Sequence, residues 1–193
     1  MLATVLLLIL VSVAVVTDVR GRKIYNWTTY PGMLLALGLA AGQSLMEGPM
    51  NLDRQQCQRL VGAPPLSQSA VGLLACGFVM LVCLVLFGVG GGDVKLMAML
   101  GAFLGPSQGI EALLWTFVLG GCAGLILLVW RVGAGRFLLR LFRQVMWTLR
   151  LRSWNPLSEE ERAQLRMPLF LAPSALAAVI VVRFSLLDYF LMR

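Results

Sequence analysis

The sequence predicts an all-α integral membrane protein with about six transmembrane helices in one bundle, plus a cytoplasmic amphipathic helix at the membrane interface. Three observations predict this class. Of the 193 residues, 59% are apolar and 13% are charged, against about 25% charged in ordinary soluble domains. The apolar residues form long runs, and the basic residues are concentrated between particular runs.

The apolar runs divide the chain into six predicted helices. Their approximate bounds are Leu2–Thr17, Thr28–Met46, Ser69–Gly88, Val94–Gly105, Ile110–Trp130 and Pro168–Leu187. A full membrane span needs about 20 helical residues, and the first and fourth segments are shorter. Both short segments border an aspartate, Asp18 or Asp93. The predicted organisation is a single membrane-embedded domain over residues 1–193.

The distribution of basic residues predicts the orientation of the bundle, because Lys and Arg gather on the cytoplasmic side. With the N-terminus outside, twelve of the 16 basic residues become cytoplasmic: Arg20, Arg22, Lys23, Lys95, Arg131, Arg136, Arg140, Arg143, Arg150, Arg152, Arg162 and Arg166. This orientation places Asp18 and Asp93 at the same, cytoplasmic, membrane face. It also accounts for the net charge of +7 without nucleic acid as a partner.

The basic segment from residue 131 to 167 contains the predicted amphipathic helix. Helical spacing puts Arg136, Arg140, Arg143 and Arg150 on one face, with apolar side chains over much of the remainder. Such a helix is typical of a membrane interface, and we expect its arginines to bind anionic lipid headgroups. A cytoplasmic extension of the fifth apolar segment is the alternative interpretation.

The cysteines and the absence of histidine argue against metal chemistry. Cys57, Cys76, Cys83 and Cys122 form no CxxC pair, and three of them lie in apolar runs. Zinc sites use clustered cysteine and histidine ligands, so we predict no metal site and no cofactor.

Asp18 and Asp93 are the candidate catalytic residues, because ionisable groups at the ends of apolar spans are often functional. Two adjacent carboxylates share a proton. The ionised one can take a proton from an attacking water, while the protonated one polarises a peptide carbonyl, as in aspartic proteases. The alternative is structural ion pairing, of Asp18 with Arg22 and of Asp93 with Lys95.

Three glycines, Gly90, Gly91 and Gly92, directly precede Asp93. Without a Cβ atom, this backbone can adopt positive φ and let a substrate approach closely. We therefore predict that the three glycines support the active site. A simple helix break between two spans is the alternative.

Two segments resemble motifs of the type IV prepilin peptidases. Residues 90–105, GGGDVKLMAMLGAFLG, are similar to the family pattern GxGDxKLxAxxGxxLG. Residues 17–32, TDVRGRKIYNWTTYPG, resemble the family's other aspartate motif. Asn26 matches the asparagine of the family's IPN triplet, and Tyr25 stands where the family usually has proline.

The resemblance implies a membrane aspartic endopeptidase of six spans in the bacterial cytoplasmic (inner) membrane. Such enzymes cleave the short basic leader from type IV prepilins and pseudopilins at the cytoplasmic face. The catalytic pair would be Asp18 and Asp93, supported by Gly90, Gly91, Gly92, Lys95 and Asn26. Lys95 would either tune Asp93 as a nearby cation or anchor its helix at the cytoplasmic surface.

The chain is similar to the short, peptidase-only members of the family, such as those serving Flp (tight-adherence) pili. It has none of the paired CxxC cysteines of the larger bifunctional members. We therefore expect no methyltransferase activity.

Two other interpretations remain open. A presenilin-like GxGD protease would pair its motif with YD and PAL sequences, whereas this chain has Thr17 before Asp18 and Ala172-Pro173-Ser174 near its last segment. A non-enzymatic membrane subunit of a pilus or secretion machine would use the aspartates structurally or for proton coupling. Such a subunit should tolerate an Asp→Asn substitution.

Overall fold

The computed structural model describes residues 1–21, 24–47, 61–132 and 171–184. Within these residues the regular structure is helical throughout. The five helices are α1 (Leu2–Gly21), α2 (Asn26–Glu47), α3 (Leu66–Phe87), α4 (Gly91–Val132) and α5 (Leu171–Arg183). The predicted amphipathic helix of the basic segment, and the predicted partner Arg22, lie outside the described residues.

The chain forms two compact units, one of residues 1–119 with 170–193 and one of residues 120–169. The first unit contains α1, α2, α3, α5 and the greater part of α4. Of the second unit, the structure describes residues 120–132, which form the C-terminal end of α4. The candidate site described below belongs to the first unit.

Among the residues that the structure describes, three helices are long and apolar enough to cross a membrane. They comprise Leu2–Gly21, Leu66–Phe87 and Gly91–Leu127, and α5 is a shorter apolar helix. Large apolar side chains such as Leu34, Leu74 and Phe78 are exposed on the helix surfaces, as expected of a protein solvated by lipid. The helices and apolar surfaces of the described residues are consistent with the predicted class, an all-α membrane protein, and the count of six spans stays a prediction.

Helix α4 is broken at Gly105, which has φ 80° and ψ 177°. Glycine adopts this positive φ without a Cβ clash, and the following Pro106 has no amide N–H to continue the helical hydrogen bonds. The break lies where the sequence predicted the fourth apolar segment to end. Residues 91–104 and 106–132 therefore form two helical halves, matching the fourth and fifth predicted segments.

The bundle closes through contacts of α1 with α5 and α2, and of α2 with α3. Helices α3 and α4 approach closely at Gly72 and Gly101, where a Cβ on Gly72 would overlap the Gly101 carbonyl oxygen. Beside it, the buried Ser69 hydroxyl donates a hydrogen bond to the Ala102 carbonyl at 2.7 Å. Small side chains thus allow backbone-to-backbone packing, the usual device of helices in lipid.

The end of the bundle that contains the start of α1 is held by Arg183 in the last turn of α5. Its guanidinium donates hydrogen bonds to Thr4 Oγ1 at 2.8 Å, to the Gly62 carbonyl at 3.2 Å and to Gln108 Oε1 at 3.4 Å. We call these four residues the arginine cluster. It joins α1, α4, α5 and the segment before α3 at one level.

Candidate active site

Asp18 lies in the last turn of α1, which extends to Gly21 rather than ending at the predicted Thr17. The helix continues because neither glycine nor proline intervenes. The Asp18 side chain is partly buried, and its Oδ2 atom has no hydrogen-bond partner in the described part of the chain. The backbone of Ala172, at the start of α5, forms a hydrogen bond with Asp18. The carboxylate therefore rests against a helix N-terminus, which favours an anion.

The segment after α1 turns tightly into α2. Ile24 and Tyr25 precede the helix, and Asn26 is its first residue. The Tyr25 carbonyl accepts hydrogen bonds from the Thr28 amide at 3.1 Å and from the Thr28 hydroxyl at 2.8 Å. These two bonds fix the first turn of α2 and hold Tyr25 and Asn26 beside the end of α1.

The second aspartate follows a short connection between α3 and α4. Gly88 ends α3 in the left-handed conformation, with φ 68°, and its amide donates to the Leu84 carbonyl. Helix α4 then begins at Gly91, so Asp93 falls in its first turn, where the helix dipole favours a carboxylate. The Asp93 amide donates to the Gly90 carbonyl at 3.0 Å.

The prediction that Gly90, Gly91 and Gly92 adopt positive φ is wrong, because α4 already begins at Gly91 and none of the three has positive φ. Two of them provide space instead. A Cβ on Gly90 would lie 3.1 Å from Asp93 Oδ2, and one on Gly92 would lie 3.0 Å from Ile24 Cβ. A Cβ on Gly91 would meet nothing within 4 Å. Gly92 thus lets the two aspartate segments come together, whereas Gly90 leaves room for the Asp93 carboxylate of its own segment.

An open pocket of ≈ 360 Å³ lies between these segments. Its lining residues are Asp18, Ile24, Tyr25, Asn26, Gly90, Gly92 and Asp93. Both carboxylates therefore border the same cavity although 75 residues separate them in sequence. They are near enough for the charge on Asp18 to act on Asp93. This arrangement can hold a water between two acids that share a proton.

Lys95 has a specific position beside this pocket. Its ammonium donates a hydrogen bond to Asn26 Oδ1 at 2.8 Å and lies 5.0 Å from the centre of the Tyr30 ring. The latter distance is within the range of a cation–π contact. Lys95 thus connects the first turn of α4 to the first turn of α2, a role that neither sequence interpretation anticipated.

Five of the seven predicted site residues line the pocket, namely Asp18, Asp93, Gly90, Gly92 and Asn26. Lys95 contacts the pocket wall through Asn26, and Gly91 is not part of the lining. Three site residues were not predicted from the sequence. Tyr25 and Ile24 line the pocket, and Ala172 contacts Asp18. For Tyr25, the available signal was its position inside the aspartate motif. No pattern in the sequence indicated Ala172.

Comparison with known proteins identifies the family. The family model of the type IV leader peptidase family matches residues 5–125, more than half of the chain. The match includes both aspartate segments and the pocket between them, and it ends before the basic segment. No curated protein and no solved structure gave a significant match. The chain belongs to the type IV leader peptidase family.

Proposed function

We propose that this chain is an aspartic endopeptidase that cleaves the short basic leader from type IV prepilins or pseudopilins at the cytoplasmic face of the bacterial inner membrane. The observation that carries the proposal is the pocket lined by both Asp18 and Asp93. Family membership supports a peptidase acting on leader peptides. The two acids supply a chemistry for that activity that needs neither metal nor histidine.

In the proposed reaction, a water held between the carboxylates attacks the scissile carbonyl carbon. The ionised aspartate accepts a proton from that water, and the protonated aspartate gives its proton to the carbonyl oxygen. The resulting neutral diol then collapses. Its C–N bond breaks, one hydroxyl proton returns to a carboxylate, and the departing nitrogen takes a proton from the other. The products are a leader carboxylic acid and a new N-terminal amine.

The position of the pocket agrees with such a substrate. Asp18 lies at the end of an apolar helix long enough to span a bilayer, so a peptide bond reaching it lies near a membrane face. A prepilin presents a basic leader before an apolar helix. In the proposed topology of six spans with the N-terminus outside, that apolar helix docks among the spans and the leader stays cytoplasmic. We further propose that the Arg-rich segment binds anionic lipid rather than the leader.

The experiment is leader cleavage of a co-expressed prepilin, followed by gel shift at matched membrane abundance. Asp18→Asn and Asp93→Asn each remove one acid, and we expect cleavage to fall by about 10²–10⁴-fold. Glu111→Gln is the matched control, because Glu111 is an exposed carboxylate on α4 that does not line the pocket. We expect this control to process the prepilin like the wild type.

Efficient cleavage by either aspartate variant would assign that carboxylate a structural role and would favour a non-enzymatic subunit. Wild-type protein that leaves every tested prepilin and pseudopilin uncut would contradict the proposed substrate class.

A further inference from the structure

The Asn26 side-chain amide has an acceptor oxygen and a donor nitrogen, and among the described residues only the oxygen is hydrogen-bonded. The carbonyl oxygen Oδ1 accepts a hydrogen bond from Lys95 at 2.8 Å. The Nδ2 group is a donor with two N–H bonds. Among the residues that the structure describes, Nδ2 donates to no protein acceptor.

Lys95 fixes which end of the amide is free. An ammonium has three donors and no acceptor, so it can bond only to Oδ1. Its contact with the Tyr30 ring gives Lys95 a second attachment on α2. A rotation of the amide by 180° would replace the 2.8 Å hydrogen bond with two donors facing each other. The Asn26 amide is therefore held with its donor group away from Lys95.

Asn26 also lines the pocket between the two aspartates. A pair of carboxylates offers mainly acceptors to a substrate, whereas a peptide carbonyl that gains negative charge during attack needs donors. Besides the proton shared by the acids, the described lining side chains that can donate are the Asn26 amide and the Tyr25 hydroxyl. The Tyr25 hydroxyl lies near Gly21, 3.9 Å from the position of an added Cβ there.

We propose that Asn26 Nδ2 donates a hydrogen bond to the scissile carbonyl oxygen as that oxygen gains charge, and that Lys95 positions the amide for this contact. The proposal rests on the proposed peptidase function. Asn26 transfers no proton, so the exchange of protons between water, carboxylates and products is unchanged. Asn26 is then a further catalytic residue, and Lys95 is a positioning residue that acts through it.

Asn26→Asp is the central variant, because it keeps an acceptor for Lys95 and removes the donor, although it also adds a negative charge to the pocket. Asn26→Leu removes both functions without adding charge to the acidic pocket. Lys95→Met keeps the Asn26 amide but removes the hydrogen bond that fixes its orientation. All three are measured with wild type and Glu111→Gln by purified-enzyme cleavage of a prepilin, giving kcat and KM separately. Thermal unfolding of each variant establishes that the protein is folded.

We expect both Asn26 variants to lose about 10²–10³-fold in kcat, the effect of removing one oxyanion donor, with KM changed by no more than about twofold. Lys95→Met should lose less kcat than Asn26→Leu, and Lys95→Arg should recover part of that loss. Wild-type kcat in Asn26→Asp would overturn the donor role. An equal loss of kcat in Lys95→Met and Asn26→Leu would also overturn the donor role. The hydrogen bond that Lys95 and Asn26 form between α4 and α2 would then account for the whole effect.

The same assay separates failure of this inference from failure of the proposed function. Cleavage by wild type and Glu111→Gln together with full activity in Asn26→Asp would overturn the donor role alone. A prepilin left uncut by the wild type would overturn the peptidase proposal, and the donor role with it.

Discussion

The two ends of α1 lie in polar surroundings of opposite character. Near its start, Thr4 accepts a hydrogen bond from Arg183, whose guanidinium also donates to two further acceptors. Near its end, Asp18 lines an open pocket, and its buried Oδ2 atom has no hydrogen-bond partner among the described residues. Both ends are held by α5, through Arg183 at one and Ala172 at the other. The helices α1 and α5 therefore carry two different polar sites. At one, the Arg183 guanidinium is hydrogen-bonded to protein acceptors; at the other, Asp18 Oδ2 has no partner among the described residues.

This difference indicates that the arginine cluster stabilises the fold, whereas the pocket is available for chemistry. A buried polar group whose hydrogen bonds are all made contributes to the folded state, whereas an unpaired one is expensive and requires an explanation. In the arginine cluster, every described contact ends on a protein acceptor. In the pocket, the Asp18 carboxylate and the Asn26 Nδ2 group keep hydrogen-bonding capacity that no described residue fills, and a substrate or water can engage them. Substitutions at the two ends should consequently change different properties.

The largest effect on stability is expected from Arg183→Met, which removes three hydrogen bonds from a charged donor. We expect the free energy of unfolding to fall by about 3 kcal/mol, the upper value for a hydrogen-bonded charged group. The measurement is SDS titration of the purified protein followed by circular dichroism. Cleavage measured well below the unfolding temperature should stay near the wild-type rate.

Arg20→Met is the control, because Arg20 is an exposed basic residue in the last turn of α1. It should change the unfolding free energy by less than about 0.5 kcal/mol. Equal stability losses in both variants would show that net charge matters and the arginine cluster does not.

The next effect is expected from Gly72→Ala, at the crossing of α3 and α4. The added methyl group would overlap the backbone of Gly101 and Gly105, which cannot move as a flexible side chain could. We expect a loss of about 2 kcal/mol in unfolding free energy, typical of overpacking. Gly38→Ala is the matched control, because its Cβ would meet nothing within 4 Å.

Helical Gly→Ala substitutions without a clash stabilise by about 0.5–1 kcal/mol, so Gly38→Ala should raise stability in the same titration. If Gly72→Ala were also stabilising, the close contact of α3 with α4 would have to be abandoned.

The smallest of the three effects is expected at the pocket itself, from Gly90→Ala. Its Cβ would lie 3.1 Å from Asp93 Oδ2, so the carboxylate must shift by a few tenths of an ångström. We expect prepilin cleavage to fall about tenfold, because small misplacements of catalytic groups reduce rates steeply. The unfolding free energy should be nearly unchanged.

Gly91→Ala is the adjacent comparison, since its Cβ would be in open space. It should cleave at close to the wild-type rate. A tenfold loss in Gly91→Ala as well would mean that backbone flexibility, rather than room for Asp93, is what the glycines provide.

The sequence allowed the prediction of features that depend on local composition. Apolar runs predicted the helices, and the Gly105–Pro106 pair accounts for the correctly predicted end of the fourth segment. The extension of α1 beyond Thr17 was missed because a charged residue ends an apolar run without ending a helix. Hydropathy therefore predicted the positions of these helices better than the residues at which they end.

The candidate site was predictable as far as its motifs extend. Asp18 and Asp93 were paired through two motifs, and both residues line one pocket. The bond from Lys95 to Asn26 joins residues 69 apart, and the contact of Ala172 with Asp18 joins still more distant ones. Neither follows from local pattern, because the partners depend on which helices are neighbours in the folded bundle.

The antiparallel pairing of α1 with α5 has a consequence for the timing of synthesis. Thr4 and Arg183, which meet in the folded protein, are 179 residues apart in the chain. A ribosome adding roughly 5–20 residues per second needs on the order of ten seconds or more to produce the second after the first. Until then the Asp18 carboxylate has no Ala172 amide to rest against. We therefore expect the nascent chain to be inactive until α5 has been synthesised and inserted beside α1.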